Sequence, residues 1–254
     1  MNIMKIFGGS KLFFFIKCNT PLWVIKSYIF FKYRYHFKRR KLRVNRDKFV
    51  DQVRQKLTLD HNWFTHAIPL WLIAFSNTGF EASKKIKCLE IGSFQGLSAY
   101  FTLNHFSNAS LVCVDTWEGA DEHRNQEHTT KEILGSIETT FDKNLTVFSE
   151  RLEKFKGTSL AYFNKHFALD AYDMIYVDGS HHSDDVIVDA VKSFEMLKIG
   201  GLLIFDDYFW TYYKRKIDNP AGAINAFLRL KRHQLKIVSF GHQLIVQKIS
   251  SSER

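Results

Sequence analysis

Acidic residues are absent from the first 46 positions of this 254-residue chain. Residues 1–48 hold thirteen Lys or Arg against a single acid, Asp47, and so carry +12. The chain as a whole carries +10, which leaves residues 49–254 at −2. The basicity therefore belongs to an N-terminal segment, and the body is near neutral. Long apolar runs are missing as well. The aromatic stretches 12–16, 22–25 and 28–31 are interrupted by Lys17 and Lys26, and none reaches the roughly 18–20 residues of a membrane span. No unbroken apolar block leads to a small-residue cleavage site, so a secretory signal is not expected. Cysteine is scarce: Cys18, Cys88 and Cys113 are scattered, the last two inside strand-like apolar runs. That excludes a disulfide framework or a thiolate metal spacing and suits a reducing compartment. Residues 49–254 show no internal repeat and no low-complexity tract.

What is present divides the chain into three parts: a basic aromatic extension over 1–48, a helical lead-in over 49–80, and a domain over 81–254. The extension, with its bases at Lys38-Arg39-Arg40-Lys41, suits a helical arm with two readings. It packs on the domain or on a partner subunit of a homo-oligomer, or it lies at an anionic membrane surface with aromatics inward and bases at the headgroups. From Phe49 to Phe75 the apolar spacing is helical. Beyond Gly79, strands alternate with helices. Strands are expected at 87–91, 111–115, 145–148, 174–177, 202–205, 235–240 and 244–247. Helices are expected at 98–105, 131–141, 159–166, 183–197 and 221–230. This alternation predicts an α/β fold, a Rossmann-like doubly wound sheet of seven strands. Only Gly241-His242-Gln243 separates the last two strands, too little for a helical crossover, so that hairpin must be antiparallel.

In open α/β sheets, ligands sit beyond the carboxyl ends of the strands, and four of those ends carry acids. The first is Glu90, followed by Gly92 and Gly96 in Leu89-Glu-Ile-Gly-Ser-Phe-Gln-Gly-Leu-Ser98. Such a turn brings bare backbone and a helix N-terminus to a nucleotide-like ligand. It is not the G-x-G-x-x-G of dinucleotide enzymes, because Phe94 holds the middle position. The bland alternative is a glycine turn required by packing. The second is Asp115, 19 residues past Gly96, where an acid can accept both hydroxyls of a ribose or cap the next turn. Trp117 follows, able to cover an adenine face or simply to pack. The third and fourth are Asp178 and the doublet Asp206-Asp207. Carboxylates gathered at one cleft repel one another, and a cation holds them ionised; all-oxygen ligation suits Mg²⁺. His181, or His182 beside it, could take a proton near neutral pH.

With these residues in hand, the chain resembles class I S-adenosylmethionine-dependent methyltransferases, and more narrowly the metal-dependent O-methyltransferases that include sugar enzymes of macrolide biosynthesis. Residues 89–98 resemble the first cofactor motif, and Val112-Cys-Val-Asp-Thr-Trp117 the ribose-binding strand end. Tyr176-Val-Asp-Gly-Ser-His181 and the run from Leu197 to Tyr208 are the most specific portion. The resemblance implies cofactor contacts from Glu90, Gly92, Ser93, Gly96, Ser98, Asp115, Trp117 and Asp178. It implies Mg²⁺ on Asp178, Asp206 and Asp207, and His181 as general base. Segments 141–145 and 157–159 look like those leading to the adenine edge. Loops 120–129 and 209–220 match nothing that names an acceptor.

The expectation is methyl transfer from S-adenosylmethionine to a hydroxyl of a sugar, a glycan or another polar small molecule, assisted by Mg²⁺, in a cytoplasmic protein able to sit peripherally at the inner membrane face. Two other classes remain open. A nucleic-acid methyltransferase would lay the basic arm on phosphates, but the body is near neutral and lacks an Asn-Pro-Pro-Tyr signature, so nucleic acid is the less favoured partner. A non-catalytic, membrane-associated protein that keeps the fold is the other.

Overall fold

The computed structural model describes residues 9–119 and 130–251. The expected acceptor loop at 120–129 lies outside the described residues. Seven strands form one sheet in the order β3-β2-β1-β4-β5-β7-β6. They are β1 (Ile86–Ile91), β2 (Ala109–Asp115), β3 (Leu152–Lys156), β4 (Tyr172–Val177), β5 (Leu197–Phe205), β6 (Leu235–Phe240) and β7 (Leu244–Lys248). The first five run parallel. β7 is antiparallel to both β5 and β6, as the three-residue hairpin turn demands.

The helices among the described residues are α1 (Gly9–Lys17), α2 (Leu22–Arg34), α3 (His36–Arg54), α4 (Ile68–Thr78), α5 (Leu97–His105), α6 (Lys131–Leu145), α7 (Ser159–His166), α8 (Ser183–Met196) and α9 (Pro220–Leu230). Strand side chains alternate between two cores. Leu89, Ile91, Ile175, Val177, Leu203 and Phe205 face one layer, together with Phe194 of α8 and Phe227 of α9. Cys88, Met174, Tyr176, Leu202 and Ile204 face the other, with Trp71, Phe75 and Phe101.

The N-terminal helices are packed onto this body. Val24, Tyr28 and Phe31, at i, i+4 and i+7 of α2, are buried in the first core. The connection is polar as well: Asn225 donates to Cys18 O and Thr20 Oγ1, each at 3.1 Å. Tyr208, next to the acidic doublet, donates to Asn225 Oδ1 at 2.9 Å. Phe14 and Phe15 lie against Phe209 with centroids 5.0 and 5.6 Å apart. The arm thus braces the loop that follows β5.

Two expectations about elements are corrected. The third strand is at Leu152–Lys156, and residues 145–148 instead finish α6 and enter a 3-10 turn over Thr146–Arg151. Leu145 is apolar because it plugs the space beside Gly96. The true edge strand, Leu-Glu-Lys-Phe-Lys, has only half-buried and exposed positions and therefore shows little apolar signal. The helical stretch over 49–75 is also broken: α3 ends at Arg54, and α4 begins at Ile68 after a turn held by Asn62, which accepts from Thr65 N and Oγ1.

The strand ends share a common rung. Gly92 N donates to Val114 O (2.9 Å), Asp178 N to Ile91 O (2.8 Å), Asp206 N to Val177 O (3.0 Å) and Gly157 N to Asp115 O (2.9 Å). Each ladder therefore runs one residue past its strand, placing Asp115, Gly92, Asp178 and Asp206 in a row. A Cβ on Gly92 (φ +84°) would stand 2.0 Å from Asp178 O, so β1 and β4 close together only with glycine there. Gly92→Ala is expected to lower the unfolding free energy by about 3 kcal/mol, combining overpacking with a left-handed backbone. Gly135→Ala, in open space on α6, should raise it by roughly 0.5–1 kcal/mol. Urea denaturation of both variants checks the opposite signs.

Candidate active site

The row of strand ends opens on one cavity of about 940 Å³, within the size of small-molecule and cofactor sites. It straddles β1 and β4, where the strand order reverses, the place at which open α/β sheets bind ligands.

On one side lies the turn from β1 into α5. Asp115 fastens it: Oδ2 accepts from Ser93 N (2.7 Å) and Phe94 N (2.9 Å), and Oδ1 accepts from Trp117 N (2.7 Å). Phe94 and Trp117 both have positive φ, +45° and +54°, a costly conformation for aromatic residues. One carboxylate holds both, and Trp117 Nε1 donates to Phe94 O at 3.0 Å. Strain fixed by its surroundings in this way clusters at ligand sites. Asp115 still faces the cavity, and the singly used Oδ1 keeps acceptor capacity for a ribose hydroxyl. Trp117 contributes to the wall, but its ring is buried against Phe141, with Lys154 Nζ 4.7 Å from its centroid.

Among the other residues expected at the cofactor, Gly92, Ser93 and Ser98 line the cavity. Gly96 does not; it makes room for Leu145, whose Cδ2 would be 2.3 Å from a Cβ there. Glu90 lies beneath the floor, 1% exposed, and accepts from Ser98 Oγ at 2.9 Å. Burial pushes its carboxyl up to about 8, against the pull of the Ser93 and Ser98 hydroxyls. Gly157, Thr158 and Ser159, read as leading to the adenine edge, also line the cavity.

On the other side, Asp178 follows β4 and Asp206-Asp207 follows β5. The donor atoms that converge are those of Asp178, His181 and Asp207, all within 4.8 Å of one another. His181 Nε2 stands 2.9 Å from Asp207 Oδ2 and 3.9 Å from Asp178 Oδ1. The expected trio of Asp178, Asp206 and Asp207 is therefore not the set that converges. Asp206 borders the cavity but is engaged by neighbours: Oδ1 accepts from Asp207 N (2.7 Å), and Oδ2 from Gln243 Nε2 (2.8 Å) and the Tyr176 hydroxyl. Gln243 is held in turn by Trp71 Nε1 at 2.6 Å. The two histidines also separate, because His182 stacks on Tyr213 with centroids 4.1 Å apart, while His181 meets the carboxylates.

The proton count tests whether a cation suits this cluster. Tyr176 OH lies within hydrogen-bond reach of both Asp178 Oδ2 (2.8 Å) and Asp206 Oδ2, yet a phenol has one proton to give. The other carboxylate needs a proton of its own or a cation. Burial and the Asp206 charge push Asp178 well above the ordinary carboxylate range, against the pull of His181. Burial and the Asp207 charge raise Asp206 likewise. A divalent cation at Asp178 and Asp207 would supply the missing charge, and the residues present fit one.

The methyltransferase-domain family matches residues 89–208, from the floor of β1 to the end of the acidic loop. Those residues carry a methyltransferase domain. Solved structures agree on its fold. The methyltransferase MycE of the mycinamycin biosynthetic pathway, solved with Mg, SAH and mycinamycin VI, is similar at TM-score 0.54 and 13% identity, covering 80% of this chain and 54% of that one. A Klebsiella pneumoniae protein described as an O-methyltransferase gives 0.53 and 13%, covering 81% and 90%. A Clostridium thermocellum protein described as an rRNA methylase gives 0.50 and 12%, covering 72% and 97%. A comparison with curated proteins gives no match. Residues 89–208 thus form a methyltransferase domain, and the fold around them is shared with these solved methyltransferases.

Several residues of the methyltransferase site were not singled out from sequence. His61 and Trp63, stacked 4.5 Å apart, continue to Phe94 and form an aromatic wall. Reading 49–75 as one helix hid that wall in an apolar helix face. Gln243 sits in the hairpin turn, where a buried amide has no local sequence signal. Trp210 and Tyr213 come from the loop after β5.

The raised Glu90 carboxyl has a signed consequence. The folded form holds its proton up to about 8, whereas the unfolded chain releases it near 4.5. Stability from this group therefore falls as pH rises through that window and is level above it. Glu90→Gln keeps an acceptor for Ser98 and removes the titration. Melting curves from pH 5 to 9 should show wild type losing stability relative to the variant, by a few kcal/mol in all; a constant difference would contradict the assignment.

Proposed function

We propose that this methyltransferase transfers a methyl group from S-adenosylmethionine to a hydroxyl of a sugar, a glycan or another polar small molecule, with Mg²⁺ assistance. The observation that carries the reading is the meeting of Asp178, His181 and Asp207 in the cavity that the Ser93–Phe94 turn and Asp115 also line. One half suits a nucleoside, and the other suits an ionisable acceptor.

In this reading, Asp115 accepts from the ribose and holds the turn against which the cofactor rests. Ser93 and Ser98 border the same half, and the floor beneath them is Glu90. S-adenosylmethionine contributes the electrophilic methyl group. Asp178 and Asp207 would hold the cation, which when bound would make the acceptor hydroxyl more acidic. His181 takes the hydroxyl proton, and the positive charge left on its ring lies beside the Asp207 carboxylate, 2.9 Å away. In this reading Asp206, which accepts from Asp207 N, Gln243 and Tyr176, orients the loop that carries Asp207. Trp63, Trp210 and Tyr213 offer ring faces and edges to an acceptor with both apolar and hydroxyl surfaces. Much of the rate would come from holding two substrates in line.

The test is transfer of a labelled methyl group into fractionated cell extract, with Mg²⁺ or EDTA. Label should enter a glycan or small-molecule fraction, fall at least about 100-fold with EDTA, and return with Mg²⁺. His181→Ala should lose about 10²–10⁴-fold in kcat while binding S-adenosylhomocysteine as wild type does. Label in RNA would replace the acceptor assignment with a nucleic-acid one. Full activity in EDTA would remove the cation.

A further inference from the structure

The inner faces of α1, α2 and α3 are spent on the domain, as the burial of Phe15, of Val24, Tyr28 and Phe31, and of Phe49 and Val53 shows. Their outer faces are not the polar surfaces that a solvated helix would present. Phe13 and Ile16 on α1, Leu22, Phe30 and Tyr33 on α2, and Phe37 and Val44 on α3 are each more than half exposed. Lys26 stands four residues from both Leu22 and Phe30, and Lys41 stands between Phe37 and Val44; both bases are exposed. No acid interrupts the arm until Asp47. The rest of the chain carries −2, so the net positive charge of the protein lies in this arm.

Exposed apolar side chains gathered with bases mark an interaction surface. Long Lys and Arg side chains reach outward to headgroups while apolar neighbours enter the acyl boundary. Three of these seven, Ile16, Leu22 and Val44, have no ring face for stacking on bases, which favours lipid over RNA. The helices are 9, 13 and 19 residues long, and no described helix is long and apolar enough to cross a membrane. The arm would lie on a bilayer and not span it.

We propose that the outer face of α1–α3 docks the enzyme on an anionic lipid surface. Because the inner face of the arm is bonded to the loop after β5 through Asn225 and Tyr208, the docked arm and the catalytic cleft move as one body.

Flotation of the full-length protein with phosphatidylcholine vesicles, with and without phosphatidylglycerol, tests this. Association should be at least about tenfold stronger with the anionic lipid and should weaken with salt. Phe30→Ser with Phe37→Ser should reduce it about tenfold. Lys26→Ala and Lys41→Ala should each reduce it about fivefold at low salt, and an unchanged melting temperature would show these variants folded. No flotation, equal flotation with neutral vesicles, or capture of RNA without flotation would each overturn the proposal.

Discussion

The constraint on which the cleft depends is the approach of Gly92 to the backbone of Asp178, where not even a methyl group fits. Through it, the end of β1, which begins the nucleoside half of the cleft, and the end of β4, which begins the acidic half, are fixed at one spacing. Parallel strands in neighbouring register supply the rest. Once Asp178 N bonds to Ile91 O and Asp206 N to Val177 O, the acids stand along one edge without any side chain having to reach. The chemistry is therefore placed by backbone geometry, and the side chains set its charge.

That charge is unbalanced by design of the sequence. Tyr176, Gln243 and Asp207 N all bond to Asp206, which anchors the start of the loop beside Asp207. Asp178 and Asp207 are left to face His181 in the cavity. The nucleoside half has the opposite character: the Asp115 carboxylate is largely absorbed in holding two aromatic residues in left-handed conformations. A rigid, prestrained half meets a half that wants a cation. The N-terminal helices close the back of this arrangement at Tyr208 and Phe209.

Much of this was legible in the sequence, for identifiable reasons. Buried parallel strands are written as apolar runs, so β1, β2, β4 and β5 stand out, and each ends at an acid or glycine that breaks the run. The short hairpin turn dictated the antiparallel finish. The edge strand β3 was misplaced because an edge needs no continuous apolar face, while Leu145 was apolar for a different purpose. Gly96 matched a cofactor pattern, yet its small size serves Leu145 and Phe141. The distinct fates of Asp206 and Asp207, and of His181 and His182, could not be read, since adjacent residues differ only in which way the loop turns them. Gln243, 67 positions from Tyr176, meets it only through the fold.

The central claim is that the cavity over Gly92, Asp115 and Asp178 takes S-adenosylmethionine. Calorimetric titration of the full-length protein with S-adenosylmethionine tests it most directly. The account predicts saturable binding at one site per chain, weakened by Asp115→Asn. An absence of binding heat over a range of temperatures, with the protein shown to be folded, would contradict it.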